Sequence, residues 1–179
     1  VKPYQPAGFW QHLNFPRKVW KASEGDDLYR RSVYTFRCRT FPHPSMVAFD
    51  ATSREECTAE RSRSNIPQQA LVMLNDPIFV EASRVFGTRI AERKGTSSEK
   101  IAWALTEALS REGTTEEVEL LAQVYQSQLE KFKKDPESAT AFLSTGNWPS
   151  SANIPDHEAA AWGQVGRVIL NAYETTSRF

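Results

Sequence analysis

The stretch Thr114–Pro136, TTEEVELLAQVYQSQLEKFKKDP, decides the fold class. Thr114 and Glu117 stand at the spacing at which an N-cap hydroxyl and an N3 carboxylate satisfy each other's backbone N–H groups. Val118, Leu121, Val124, Tyr125, Leu129 and Phe132 then recur at helical spacing and form one wide apolar stripe. Lys131, Lys133 and Lys134 put positive charge at the negative end of the helix dipole. Asp135-Pro136 stops this helix and restarts a short one through Leu143. A helix with one apolar face must bury that face against another element.

Outward from that helix the same pattern continues. Upstream, Ser97 or Ser98 opens a helix with Ile101, Ala102, Leu105, Ala108 and Leu109 inward, and Gly113 ends it. Before it, Asn75-Asp76-Pro77 caps a helix running to about Lys94, with Phe79, Val80, Ala82, Val85, Phe86 and Ile90 apolar and Gly95 as its stop. Pro67 fits the first turn of a helix over Gln68 to Leu74. Downstream, Thr145 to Pro155 is a loop by composition. Asp156 then caps a last helix with Ala161, Trp162, Val165, Val168, Ile169 and Tyr173 facing in. The expected fold is mainly α: five or six helices with short links and no parallel βαβ series.

Residues 1–65 read differently. They are rich in Pro and Arg and irregular. Asp26 to Arg39 fits either a helical face or, at Val33-Tyr34-Thr35-Phe36, a strand; acidic residues at its start and basic ones at its end favour helix. Pro42 and Pro44 break the chain. Met46 to Asp50 is a buried loop or turn, Ser53-x-x-Glu56 has the capping-box form that opens a helical turn, and Arg61 to Asn65 is loop. Pro3 and Pro6 favour an extended start, and Tyr4, Phe9 and Trp10 are large aromatics that would lie down on the domain. The expectation is a single domain, 1–179: an irregular arm with one helix (1–65) wrapped on a bundle (66–179). Both ends suggest a fragment of a longer protein.

Composition narrows the function. The 179 residues hold 22 basic and 22 acidic side chains, so a general nucleic-acid coat is disfavoured. The charges nevertheless separate at Asn65: 11 basic and 7 acidic before it, 11 and 15 after it, net +4 and −4. No apolar run approaches the roughly 20 residues that span a bilayer. Cys38 and Cys57 permit one bridge, worth about 3 kcal/mol for a loop of about 20 residues, or two buried thiols. Neither a C-x-x-C nor a haem attachment motif occurs.

Several phrases together resemble a known family. RSRSNIPQQALVMLNDPIFVEASR (Arg61–Arg84) is the most distinctive. VKPYQPAGFW, DLYRRSVYTF (Asp27–Phe36), FDATSREECT (Phe49–Thr58) and the closing AAAWGQVGRVILNAYET (Ala159–Thr175) are similar to the same family in the same order. The family is a planctomycete-type C-terminal domain of unknown function, found in secreted proteins associated with cytochrome c modules. The resemblance implies an exported, cell-envelope location, periplasmic or extracellular, and no established reaction. Partners would be other domains of the parent chain or an envelope protein. No covalent haem is implied.

Three kinds of site are conceivable from residue type. Arg54, Arg61 and Arg63, with Arg30, Arg31, Arg37 and Arg39 upstream, are suited to two-point binding of carboxylate, sulfate or phosphate. Alternatively they pair with Glu55, Glu56 and Glu60 and with the caps of the following helices, tying irregular chain to the bundle. His43, Asp50 and Glu56, with Asp156, His157 and Glu158, contain donors sufficient for zinc or another divalent metal but lack a spacing signature such as H-E-x-x-H. Adjacent residues at a helix start also point in different directions. Among the tryptophans, Trp103 and Trp162 belong to the core, whereas Trp148 sits in a loop, where it either plugs a gap or stacks on a sugar or partner. No G-x-S-x-G or glycine-rich phosphate loop occurs. The preferred reading is a non-catalytic accessory or interaction module, without a cofactor. The rivals are a metal-dependent hydrolase of anionic esters and an acidic-glycan-binding module.

Overall fold

The computed structural model describes residues 1–12, 19–38, 41–151 and 153–176, and of His12 only the backbone. The expectations at Arg39, at the His12 side chain and at Arg178-Phe179 lie outside the described residues. All regular structure among the described residues is helical. The chain folds as two compact units, Val1–Val72 and Met73–Phe179. Residues 66–72 carry no charge, so the units inherit the opposite net charges read from the sequence.

The C-terminal unit is a helical bundle. Helices α2 (Pro67–Asn75), α3 (Pro77–Glu92), α4 (Ser97–Leu109), α5 (Thr115–Lys134), α6 (Pro136–Leu143), α7 (Asp156–Leu170) and α8 (Tyr173–Thr176) follow in order; α2 begins in the other unit. Caps set most boundaries. Asp76 accepts from the Ile78 N–H, Thr114 and Glu117 form the expected capping box, and Asp135 accepts from the Ser138 N–H. For α4 the cap is Thr96, which forms a capping box with Glu99, so the helix opens one residue before the expected Ser97 or Ser98 cap would allow. Its end is Ser110, at φ 57° in the left-handed region, not Gly113. Gly113 is instead pressed against Leu105, whose Cδ1 lies 2.3 Å from where a Cβ would stand. For α7 the N-cap is Pro155, and Asp156 is the first helical residue.

Helix α7 occupies the centre and packs on α3, α4, α5 and α6. Ala160, Ala161, Trp162, Val165 and Ile169 are buried along it. The Trp162 ring stacks on Tyr125 of α5, with centroids 4.0 Å apart. Two residues expected to face inward do not: Val168 and Tyr173 are exposed, the latter because the chain turns after Leu170 into α8. Trp103 is only partly buried, and the Arg93 guanidinium lies over its ring at 4.4 Å. Helix α3 meets α7 through small residues. A Cβ on Gly87 would stand 2.3 Å from the Gly163 nitrogen, so the two backbones are in contact there.

Among its described residues the N-terminal unit has three short 3-10 turns, Phe9–His12, Gly25–Tyr29 and Ser32–Tyr34, the helix α1 (Pro44–Ala48) and the start of α2. Of the helix expected over Asp26–Arg39, the described residues 26–38 form only the two 3-10 turns. Its polar backbone is diverted: the Tyr34 carbonyl accepts from the Val1 nitrogen at 2.7 Å, and the Phe36 N–H donates to the Val1 carbonyl at 2.7 Å. Met46–Ala48, expected in a loop or turn, belongs to α1, which Pro44 opens from His43. Ser53-x-x-Glu56 opens no helix; Arg54 sits at φ 64°, a conformation that cannot begin a right-handed helix. No helix of the described residues is long and apolar enough to cross a membrane.

Candidate functional site

The N-terminal unit is organised by ring N–H groups that bind an extended strand of main chain. Pro3 and Pro6 favour an extended path, and the carbonyls of Val1, Lys2, Pro3 and Tyr4 find their partners far along the chain. Trp20 Nε1 donates to the Pro3 carbonyl at 2.8 Å, and Trp10 Nε1 donates to Gln5 Oε1. His43 Nε2 lies 3.0 Å from the Tyr4 carbonyl. A carbonyl only accepts, so Nε2 carries the ring proton in this contact. Around these bonds Trp10 stacks on Trp20 with centroids 5.0 Å apart, and Phe41 meets the Trp10 edge at 5.2 Å. His43 is 6% exposed within this aromatic packing. The sequence-predicted metal candidate therefore holds the arm in place.

The second cluster surrounds the turn that follows α1. Asp50, at φ 55°, aims its carboxylate at Ser64, accepting from the Ser64 N–H at 2.7 Å and from its hydroxyl at 2.8 and 2.9 Å. Arg61 Nε donates to the Asp50 carbonyl at 2.9 Å, and its Nη2 donates to the Phe49 carbonyl. Arg37 Nη2 donates to the Thr52 carbonyl. These carbonyls are orphaned because α1 has ended, and guanidinium forks satisfy them. The expected pairing of Arg54, Arg61 and Arg63 with Glu55, Glu56 and Glu60 is thus replaced by bonds from Arg61 to main chain, while Arg54, Arg63 and Glu56 are exposed. Burial, then the neighbouring charges of Arg54 and Arg61, hold the Arg37 guanidinium below its usual range. Cys38 and Cys57 are thiols, not a bridge.

The remaining metal candidates lie in the C-terminal unit. Asp156, His157 and Glu158 form the first turn of α7, where successive side chains point about 100° apart. Glu158 lies close enough to Tyr125 for its charge to add to burial in pushing the phenol upward. Among the described residues no group of three or more His, Cys, Asp or Glu side chains is arranged to hold a metal ion.

One polar site was not foreseen. Glu81 and Arg84 of α3 are both buried, the guanidinium 1% exposed, with Arg84 Nη2 3.9 Å from Glu81 Oε1. Glu81 Oε1 accepts from the Asn147 N–H at 2.8 Å and from the Trp148 N–H. Arg84 donates to the carbonyls of Thr145, at 3.2 Å, and Trp148, and to the Ser150 hydroxyl at 3.3 Å. The pair latches the loop between α6 and α7. Gly146, at φ 87°, fits only because it has no Cβ: one would stand 2.3 Å from Glu81 Cδ. Trp148 at the loop tip is 52% exposed, so it does not plug the bundle. The only signal in the sequence was a charged pair one turn apart on a largely apolar helix.

The sequence model of a family described as PSD1, protein of unknown function (DUF1553), matches residues 1–125. No curated protein and no solved structure matches the chain.

Proposed function

We propose that this chain, which belongs to the PSD1 (DUF1553) family of proteins of unknown function, serves as a non-catalytic accessory or interaction module of a larger exported cell-envelope protein. Its location is periplasmic or extracellular, its family the planctomycete type that accompanies cytochrome c modules, and its partners are other domains of the parent chain or an envelope protein. The supporting observation is how the reactive side chains of the N-terminal unit are used. His43 is bonded to the Tyr4 carbonyl, Asp50 to Ser64, and Arg61 to the Phe49 and Asp50 carbonyls. Groups engaged in this way hold irregular chain in one shape, and His43 is in addition buried beside the Trp20 ring, away from a substrate or metal in solution.

The rival from another class, a hydrolase of phosphate or sulfate esters using a divalent metal, is separated by one experiment. Purified protein is analysed for bound metal and assayed for turnover of aryl phosphate and aryl sulfate with and without chelator. The expected result is no stoichiometric metal and no turnover. Chelator-sensitive turnover that disappears in His43→Ala or His157→Ala would overturn the proposal.

A further inference from the structure

Two guanidinium groups are fixed at the turn after α1, and the charge of a third, Arg54, acts on one of them, Arg37. Arg61 and Arg37 are pinned to it from two sides, through the carbonyls of Phe49, Asp50 and Thr52, and Arg54 follows two residues later. A guanidinium has five N–H donors in a rigid fork. Arg61 spends only Nε and Nη2 on the turn, and Arg37 only Nη2, so both keep donors beyond those bonds. Arg54 makes no bond among the described residues, and both Arg54 and Arg61 are exposed. No carboxylate of the described residues lies within 4.0 Å of any of the three. The one acid embedded in the turn, Asp50, has its carboxylate committed to Ser64.

We propose that Arg37, Arg54 and Arg61 form a binding site for a tetrahedral oxyanion, the sulfate ester or phosphate monoester group of a ligand. The inference goes beyond the accessory role and does not depend on it. Cations crowded without a counter-charge repel one another, and an anion that bridges them converts that repulsion into charge-assisted hydrogen bonds. Arginine suits this because its fork matches two oxygens at once and stays charged. The bonds to main chain give Arg37 and Arg61 fixed positions before ligand arrives, which reduces the ordering cost of binding. Arg54, on a residue held at φ 64°, supplies the cation without a prior partner. The net charge of +4 on this part of the chain favours an anionic ligand in addition. Arg63, from the same segment, has no bond to the turn among the described residues and serves as the control.

The test is calorimetric titration of the whole chain with inorganic sulfate, inorganic phosphate and acetate at constant ionic strength. Saturable binding of sulfate or phosphate is expected, weaker by about tenfold or more for acetate. A comparable loss, about tenfold or more, is expected in Arg54→Asn, a residue that tolerates the left-handed backbone, and in Arg37→Gln, with Arg63→Ala within about twofold of the parent. Binding of only one of the two anions identifies the source as sulfate or phosphate ester and supports the site. Absence of saturable binding, acetate binding equal to both, or a loss in Arg63→Ala equal to that in Arg54→Asn would overturn it. Arg54 has no bond to lose on folding, so its variant keeps the test valid if Arg37→Gln unfolds, which circular dichroism checks.

Discussion

Replacing Gly87 by alanine should destabilise the C-terminal unit. The added carbon would stand 2.3 Å from the Gly163 nitrogen, 2.4 Å from the Gly163 Cα and 2.5 Å from the Trp162 carbonyl carbon. Non-bonded heavy atoms settle at about 3.5 Å or more, so α3 and α7 must separate by about 1 Å. All three obstructing atoms are backbone of the central helix, and no rotamer change can relieve them. Separation also loosens the packing of Phe86 and Ile90 against Trp162 and Val165, all buried in one core. Overpacking of this kind costs about 1–3 kcal/mol and occasionally more. Against it stands about 1 kcal/mol gained by removing a glycine from a helix interior. With backbone as the obstacle the upper end of the range applies, for a net loss of about 2 kcal/mol. The assay is urea unfolding followed by far-ultraviolet circular dichroism, where the midpoint should fall with little change in slope. Gly163→Ala provides the contrast: its Cβ meets the Phe142 ring at 2.5 Å, and a side chain can turn aside. It should lose less. A Gly87→Ala protein within about 0.5 kcal/mol of the parent, or less affected than Gly163→Ala, would refute the close-contact account of α3 on α7.

Two further outcomes follow from named contacts. Arg84→Met should cost about 3–5 kcal/mol, because it leaves the buried Glu81 carboxylate without its cation and releases the Thr145–Ser150 loop; urea unfolding, with hydrogen exchange at Asn147 and Trp148, would report both effects, and unchanged exchange there would count against the latch. At the exposed end of the bundle, the Arg111 guanidinium and then the Thr114 N–H hold the Glu117 carboxyl down at about 2 from its usual 4.5. A carboxyl lowered in the folded state contributes stability that is full above its unfolded value and lost as pH falls through the folded one. Between about pH 4.5 and 2 the parent should therefore lose a contribution that Glu117→Gln never had, and identical acid unfolding curves for the two would contradict that assignment.

What the sequence disclosed was local. Asp76, the Thr114–Glu117 box and Asp135-Pro136 act within a turn of where they stand, and each marks a helix start as expected. The stripe from Val118 to Phe132 likewise declares its buried face, with Leu121, Tyr125 and Phe132 in the core. The N-terminal unit was not legible because its order is made across distance. Tyr34 and Phe36 give up helical bonds to Val1, and His43 bonds to Tyr4, pairings that no window of periodicity contains. The same holds for Glu81 and Arg84, whose partners stand more than sixty residues away in sequence. Of the arginines singled out, Arg61 was suited by type to an anion, yet part of its fork goes to carbonyls exposed by the end of α1, an event the composition does not announce.

The central claim is that His43 and Asp50, the candidate metal ligands of the N-terminal unit, brace the chain rather than serve catalysis, and His43 tests it most directly. Nitrogen-15 spectra of the histidine rings can be recorded while zinc is added to the whole protein. The account predicts that the His43 ring keeps its proton on Nε2, bonded to Tyr4, with its ring signals unmoved by the metal. A shift of either ring nitrogen at stoichiometric zinc, Nδ1 with the Nε2 proton retained included, would show a ligand where a brace is claimed.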